Sequence, residues 1–378
     1  HTAILARGLG LPAIVAAKGV TEIADGTIVY VDSNEGIVDT EPTDADREAA
    51  IKYANRKPVA DFDGQGVLAD GTRVPLYANV GDGKSAEKAA SLKAEGVGLL
   101  RTEFGFLGHD AEPSIETQAK TYKSVFDAFP GKHIVVRTLD AGADKPLPFL
   151  NVNPEENPAL GVRGFRTDWT VPGVLTRQLE AIKAASENSD ADIWVMAPMI
   201  STTSEARNFA NMLKEIGLPV HGVMVETPAA VMNAEAILGE VDFVSIGTND
   251  LTQYTMAADR LLGDLAHLNN PWQPAVLKMI KMTVEGAQRA SVTAGKKKYV
   301  SVCGEAAADP ALAVVLIGLG VDTLSMNAGA IPAVAAVLKS VTKEKAQQIA
   351  AIALQQISSA EAKESARKAL PILDELGL

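Results

Sequence analysis

The sequence predicts an α/β protein, a (β/α)8 barrel preceded by a small compact unit and a linker helix. Three observations predict it. From about Val67 onward, eight short apolar runs alternate with longer amphipathic stretches, the pattern of repeated βα units around a parallel sheet. Eight such units are the number that closes a barrel, and arginines, carboxylates and the single cysteine fall at the C-terminal ends of the runs, where such barrels carry their chemistry. Apolar residues make up 47% of the 378 positions, enough for a large core and too many for wholesale disorder.

The first forty residues read as compact structure. Apolar stretches at Leu11–Ala17 and Thr27–Val31 are separated by Gly and Asp, and a turn over Asn34-Glu35-Gly36 precedes Ile37-Val38. Glu41-Pro42-Thr43 opens a helix over Asp44–Arg56 whose sparse apolar positions, Ala49, Ile51 and Ala54, suit a linker. The expected division is therefore 1–42, a linker over 43–66, and a barrel over 67–378. The eight barrel strands are expected at Val74–Ala78, Val97–Leu100, His133–Val136, Ile193–Ala197, Gly222–Val225, Phe243–Ile246, Tyr299–Val302 and Thr323–Ser325. Between them the helical stretches are Ser85–Glu95, Ile115–Phe129, Gly173–Ser186, Thr203–Glu215, Ala229–Leu238, Ala275–Ala294 and Pro310–Leu319, with Ile331–Leu338 after the last strand. The alanine-rich Lys343–Leu378 is expected to pack helically on the barrel exterior.

Charge and composition narrow the function. Lys+Arg 35 against Asp+Glu 47 gives a net charge of −12, and aromatics are 5%, which argues against a nucleic-acid binder. No apolar run reaches the ~18 residues of a membrane span, and no signal-peptide pattern is present. The lone Cys303 excludes an internal disulfide and fits a reducing cytoplasm. A chain that begins at His1 is expected to be a fragment or a processed product.

The rim carries the chemistry. Arg101 and Arg137 follow consecutive strands, and Arg163 and Arg260 lie in later loops; converging guanidiniums suit a small, multiply charged anion. Each could instead pair with an acid such as Glu103 or Asp140. Glu226 and Asp250 end neighbouring strands, where two hard carboxylates suit Mg2+, unless they only cap the helices that follow. Cys303, two residues before Glu305, could be a small apolar filler or a proton donor. His1 reads from its surroundings as a capping or core residue. The other histidines show no ligand spacing, and no phosphate-loop or dinucleotide fingerprint occurs.

Several segments together resemble one family, enzyme I of the bacterial sugar phosphotransferase system, the phosphoenolpyruvate–protein phosphotransferases. They are His1-Thr-Ala-Ile-Leu-Ala-Arg with Leu11-Pro-Ala-Ile-Val, Gly98-Leu-Leu-Arg-Thr-Glu-Phe104, Arg137-Thr-Leu-Asp-Ala-Gly-Ala-Asp-Lys145 and Asn157-Pro-Ala-Leu-Gly-Val-Arg163. Downstream come Gly222-Val-Met-Val-Glu-Thr-Pro-Ala-Ala230, Ser245-Ile-Gly-Thr-Asn-Asp-Leu-Thr-Gln-Tyr254, Asp259-Arg260 and Cys303-Gly-Glu305. Ala143 departs from the pattern, where the family often has glycine. The resemblance implies that His1 is the phosphoacceptor of a swivelling phosphohistidine domain, whose C-terminal part is 1–42. It implies that Arg101, Arg137, Asn249, Asp250 and Arg260, with Arg163 as helper, hold phosphoenolpyruvate, and that Glu226 and Asp250 hold Mg2+. It implies that Cys303 protonates the enolate to pyruvate, that the phosphoryl group passes to the carrier protein HPr, and that the barrel forms a homodimer. The rest of the swivelling domain and the HPr-binding helical domain precede the histidine in the family, so complete turnover is not expected of this chain alone.

The rivals are pyruvate phosphate dikinase and phosphoenolpyruvate synthase, which share the histidine segment and barrel but need an ATP-binding domain. Glu226-Thr-Pro, Arg137-Thr-Leu-Asp140 and the end of the chain soon after the eighth strand favour enzyme I. Two further readings stand beside these: a multidomain phosphotransferase carrying the same module, and a non-catalytic phosphoenolpyruvate-binding and dimerisation unit.

Overall fold

The computed structural model describes residues 13–14, 17, 19–32, 36–54, 59–142, 147–150 and 154–378. Near the N-terminus, β1 (Tyr30–Asp32) and β2 (Ile37–Asp39) form an antiparallel pair with Val31 opposite Val38. The helix Asp44–Ala54 follows. Thr43 and Asp46 exchange hydrogen bonds at its start, with the Thr43 N–H 2.8 Å from Oδ2 of Asp46. Ile51 and Tyr53 on this helix are 61% and 56% exposed, so it buries little, as its sparse apolar positions imply.

Eight parallel strands close a barrel: β3 (Leu76–Val80), β4 (Gly96–Arg101), β5 (His133–Arg137), β6 (Asp192–Ala197), β7 (His221–Val225), β8 (Phe243–Ile246), β9 (Tyr299–Val302) and β10 (Thr323–Met326). They pair in chain order, and β10 closes the ring by pairing with β3, Leu324 opposite Leu76. Strand alternation sorts the side chains. Leu76, Ala78, Val80, Val195, Val223 and Val244 face the helices in one large core. Leu99, Val135, Met196, Met224, Phe243 and Cys303 form a separate cluster that fills the barrel interior. Aromatic rings floor the N-terminal end: Trp194 stands edge-on to His133 at 4.4 Å and lies 4.9 Å from Phe243.

Several elements differ from the sequence expectation, four of them informatively. The first barrel strand starts at Leu76, two residues late, because Pro75 has no N–H for the ladder; its carbonyl instead accepts from Leu324. The stretch expected as one helix over Ala229–Leu238 is two, Pro228–Met232 and Ala234–Glu240, broken at Asn233. An unexpected helix, Thr248–Met256, follows β8 directly. Lys343–Leu378 divides into Lys343–Leu354, Ser359–Lys368 and Ile372–Leu376, the second started by a Ser358 cap. The first of these crosses the wholly apolar helix Pro310–Gly318, where a Cβ on Gly318 would sit 2.1 Å from the Ala346 carbonyl oxygen. Only glycine allows that crossing.

Candidate active site

The rim residues converge at the C-terminal mouth of the barrel. Arg101 and Arg137 end β4 and β5 as Cα register partners. Arg137 is buried, and its Nη2 donates to Oε1 of Glu103 at 2.7 Å while Nη1 pairs with Asp140 at 3.1 Å. Burial works against its charge, and Glu103 and Asp140 outweigh that and keep it protonated. Arg163, also buried, donates through Nη2 to both Asp140 oxygens at 3.1 and 3.0 Å and through Nη1 to Oδ1 of Asp250 at 2.8 Å. Arg260 reaches the other Asp250 oxygen at 3.2 Å. Asp140 thus grips two guanidiniums, and Asp250 grips two.

Arg101 is different. It makes no ion pair among the described residues; burial lowers its pKa, and Glu103 offsets only part of that. The alternative reading, in which each rim arginine pairs with an acid, therefore holds for Arg137, Arg163 and Arg260 and, among the described residues, not for Arg101.

Glu226 follows β7 and is fully buried. Its Oε1 accepts from the Met199 N–H at 2.7 Å, and its Oε2 has no hydrogen-bond partner. Burial, then the nearby Asp250 and Asp140 charges, push its pKa up to about 8. Two backbone features make room for this carboxyl. Met199 adopts a left-handed φ of 60°, which aims its N–H at Glu226. A Cβ on Gly247 would lie 2.6 Å from Oε2. Helix capping accounts for neither carboxylate: Thr227 caps Pro228–Met232, and Asp250 lies inside Thr248–Met256.

Among the described residues no group of three or more His, Cys, Asp and Glu could hold a metal ion by itself. The orphaned oxygen of Glu226 and the neighbouring Asp250 still suit Mg2+, which takes one or two carboxylates and completes its shell with water and substrate oxygens. Asp250 would share its oxygens with arginines.

Asn249 bridges two rim loops, its Oδ1 accepting from the Glu305 N–H at 3.0 Å. Cys303 is 1% exposed; burial pushes its thiol pKa up. Its carbonyl accepts from Asn79 Nδ2 at 2.9 Å, and Asn79 in turn accepts from Ser325 Oγ at 2.6 Å. His1 lies outside the described residues.

Two participants are not evident from the sequence. Met199 lies two residues past the expected strand end at Ala197, and nothing in the sequence around it signals a left-handed backbone. Tyr254 occurs only as the end of the Asn-Asp-Leu-Thr-Gln-Tyr run; its hydroxyl donates to the Ala159 carbonyl and accepts from Arg163 at 3.4 Å, tying the 157–163 loop to the rim.

A closed βα barrel whose C-terminal mouth gathers arginines and buried carboxylates defines the class of (β/α)8 proteins with a highly charged site at that mouth. A family described as "PEP-utilising enzyme, PEP-binding domain" matches residues 59–343, and the chain belongs to that family. The "PEP-utilising enzyme, mobile domain" family matches residues 1–36. Over 374 residues the chain is 46% identical to the phosphoenolpyruvate-protein phosphotransferase of Streptomyces coelicolor, covering 98% of this chain and 66% of that protein. It is 39% identical to the protein of the same name in Haloferax volcanii, covering 96% and 65%. A multiphosphoryl transfer protein of Xanthomonas campestris is 39% identical over 94% of this chain and 43% of its own length. The chain spans slightly less than two thirds of the first two relatives. These names agree with the resemblance carried by the motifs. Among the described residues no helix is long and apolar enough to cross a membrane.

Proposed function

We propose that this chain carries the centre at which the phosphoryl group of phosphoenolpyruvate is transferred to an enzyme histidine, His1, with release of pyruvate, before passing to the carrier protein HPr. The observation that carries this reading is the asymmetry of the rim: Arg101 makes no ion pair among the described residues and stands beside three arginines already aligned by carboxylates. An anion bearing a phosphate and a carboxylate on a three-carbon frame supplies the charges such a rim lacks. Arg101, Arg137, Asn249 and Arg260 bind it, and Arg163 holds Asp140 and Asp250 in place. Glu226 and Asp250 would hold Mg2+, which when bound spreads negative charge over the phosphoryl and enolate oxygens.

As the phosphoryl group leaves, charge grows on its equatorial oxygens and on the enolate oxygen, and the fixed guanidiniums stabilise both without reorganising. A neutral imidazole nitrogen attacks without first losing a proton. The thiol of Cys303 then gives its proton to the methylene carbon. With this reading go the division into a phosphohistidine-domain part at 1–42, a linker at 43–66 and a barrel at 67–378, a homodimer through the barrel, and a cytoplasmic setting.

The test is labelled phosphoenolpyruvate with Mg2+. Acid-labile label on His1 with stoichiometric pyruvate supports the reading. Tight binding without label on His1, in a protein with any preceding domains present, reduces the chain to a binding module.

A further inference from the structure

Cys303 is held on three sides. Its N–H donates to the Ile246 carbonyl at 3.2 Å, its own carbonyl is held by Asn79, and its thiol lies 3.8 Å from the same Ile246 oxygen, the direction in which the S–H donates. The proton that the proposed chemistry needs therefore rests on a backbone carbonyl of β8. Once it leaves, the sulfur keeps the electron pair as a thiolate inside an apolar layer made by Leu99, Val135, Met196 and Met224. A thiolate there needs a donor.

Ser245 is placed to be that donor. It precedes Ile246 on β8, with Ser301 of β9 as its Cα register partner, and strand alternation turns Ser245, Ser301 and Cys303 to the barrel interior. Ser245 is fully buried, and its hydroxyl has no hydrogen-bond partner among the described residues, so it is free to turn toward a group that becomes charged. The group that it influences is the Cys303 thiol, which it makes more acidic. The other charges facing the sulfur are Arg137 and Arg101, which favour the thiolate, and Glu226, which opposes it.

We infer that Ser245 is a positioning residue for proton delivery: its hydroxyl turns to the Cys303 sulfur and donates to the thiolate left when the proton passes to carbon. In that step the S–H bond breaks, a C–H bond forms at the methylene carbon, the enolate becomes the ketone of pyruvate, and the sulfur holds the pair until solvent returns a proton. The inference rests on the reading of Cys303 as proton donor.

Cys303 is the chain's single cysteine, so its alkylation by iodoacetamide reports this sulfur alone. In Ser245→Ala the pH profile of alkylation should move upward by about one unit, the loss expected when a thiolate loses one hydrogen bond. Exchange of pyruvate methyl hydrogens with solvent deuterium, the reverse of carbon protonation, should fall about tenfold or more. An alkylation profile within 0.2 units (roughly the precision of such a titration) overturns the inference, whatever the exchange rate. Exchange that persists in Cys303→Ala overturns the proton-donor reading itself. Exchange lost in Cys303→Ala and unchanged in Ser245→Ala removes only the role of Ser245.

Discussion

Arg101 and Arg137 are register partners at the ends of adjacent strands, yet Arg137 has two carboxylate partners and Arg101 has none among the described residues. The same residue type at neighbouring positions is therefore held by carboxylates in one case and, among the described residues, by none in the other.

That contrast gives the first prediction. Arg137→Ala removes the guanidinium that pairs with the buried Glu103 and Asp140 and leaves Asp140 to Arg163, so it should destabilise the fold by about 3–5 kcal/mol as well as weaken ligand binding. Arg101→Ala should abolish phosphoenolpyruvate binding and leave the melting temperature unchanged or raised. Calorimetric titration beside thermal melts separates the two; equal loss of stability in both variants would mean that Arg101 is also structural.

Glu226 gives a pH dependence. Folded, it keeps its proton up to about pH 8; unfolded, it releases it near the ordinary glutamate value of about 4.3. The folded state therefore binds more protons between those values, and the metal-free protein should lose stability as pH rises through that window. Glu226→Gln should flatten the dependence. Denaturant melts at pH 5, 6, 7 and 8 (bracketing roughly the span between the two values) decide this, and parallel slopes in both proteins would remove it.

The carboxylate pair should also matter to Mg2+. Glu226→Gln and Asp250→Asn are each expected to cut the gain in phosphoenolpyruvate affinity that Mg2+ confers. Asp250→Asn should in addition weaken binding without metal, because Arg163 and Arg260 lose their shared anchor. Titrations with Mg2+ and with a chelator give both numbers; an undiminished Mg2+ effect in Glu226→Gln would place the ion elsewhere.

Two glycines should respond with opposite signs. Gly247→Ala pushes a methyl to 2.6 Å from Oε2 of Glu226 and 2.7 Å from Cε of Met224, and should cost about 1–3 kcal/mol. Gly239, in the helix Ala234–Glu240, has nothing within 4 Å of such a methyl, and Gly239→Ala should stabilise by about 0.5–1 kcal/mol. Thermal melts of both variants check the pair.

The barrel was legible because each strand buries both faces and so appears as an apolar run whose neighbours are amphipathic. Phe243–Ile246 and Tyr299–Val302 match the structure residue for residue. The rim was legible for the related reason that charged side chains at strand ends cannot be core. What the sequence could not carry was the pairing among them. Asp140 holds Arg163, which is 23 positions away, and Asp250 holds the same residue from 87 positions away. Local patterns also concealed the helix Thr248–Met256, whose polar Asn249 and Asp250 read as loop because they face the barrel mouth rather than solvent.

The pairing of β10 with β3 has a consequence for assembly. Leu76 emerges early in synthesis and Leu324 late, so through most of translation β3 has β4 on one side and an open ladder on the other. The ring cannot form as a local event, and its completion depends on the slow closure of a very long loop. Until then the open edge of β3 is a surface to which other chains could add.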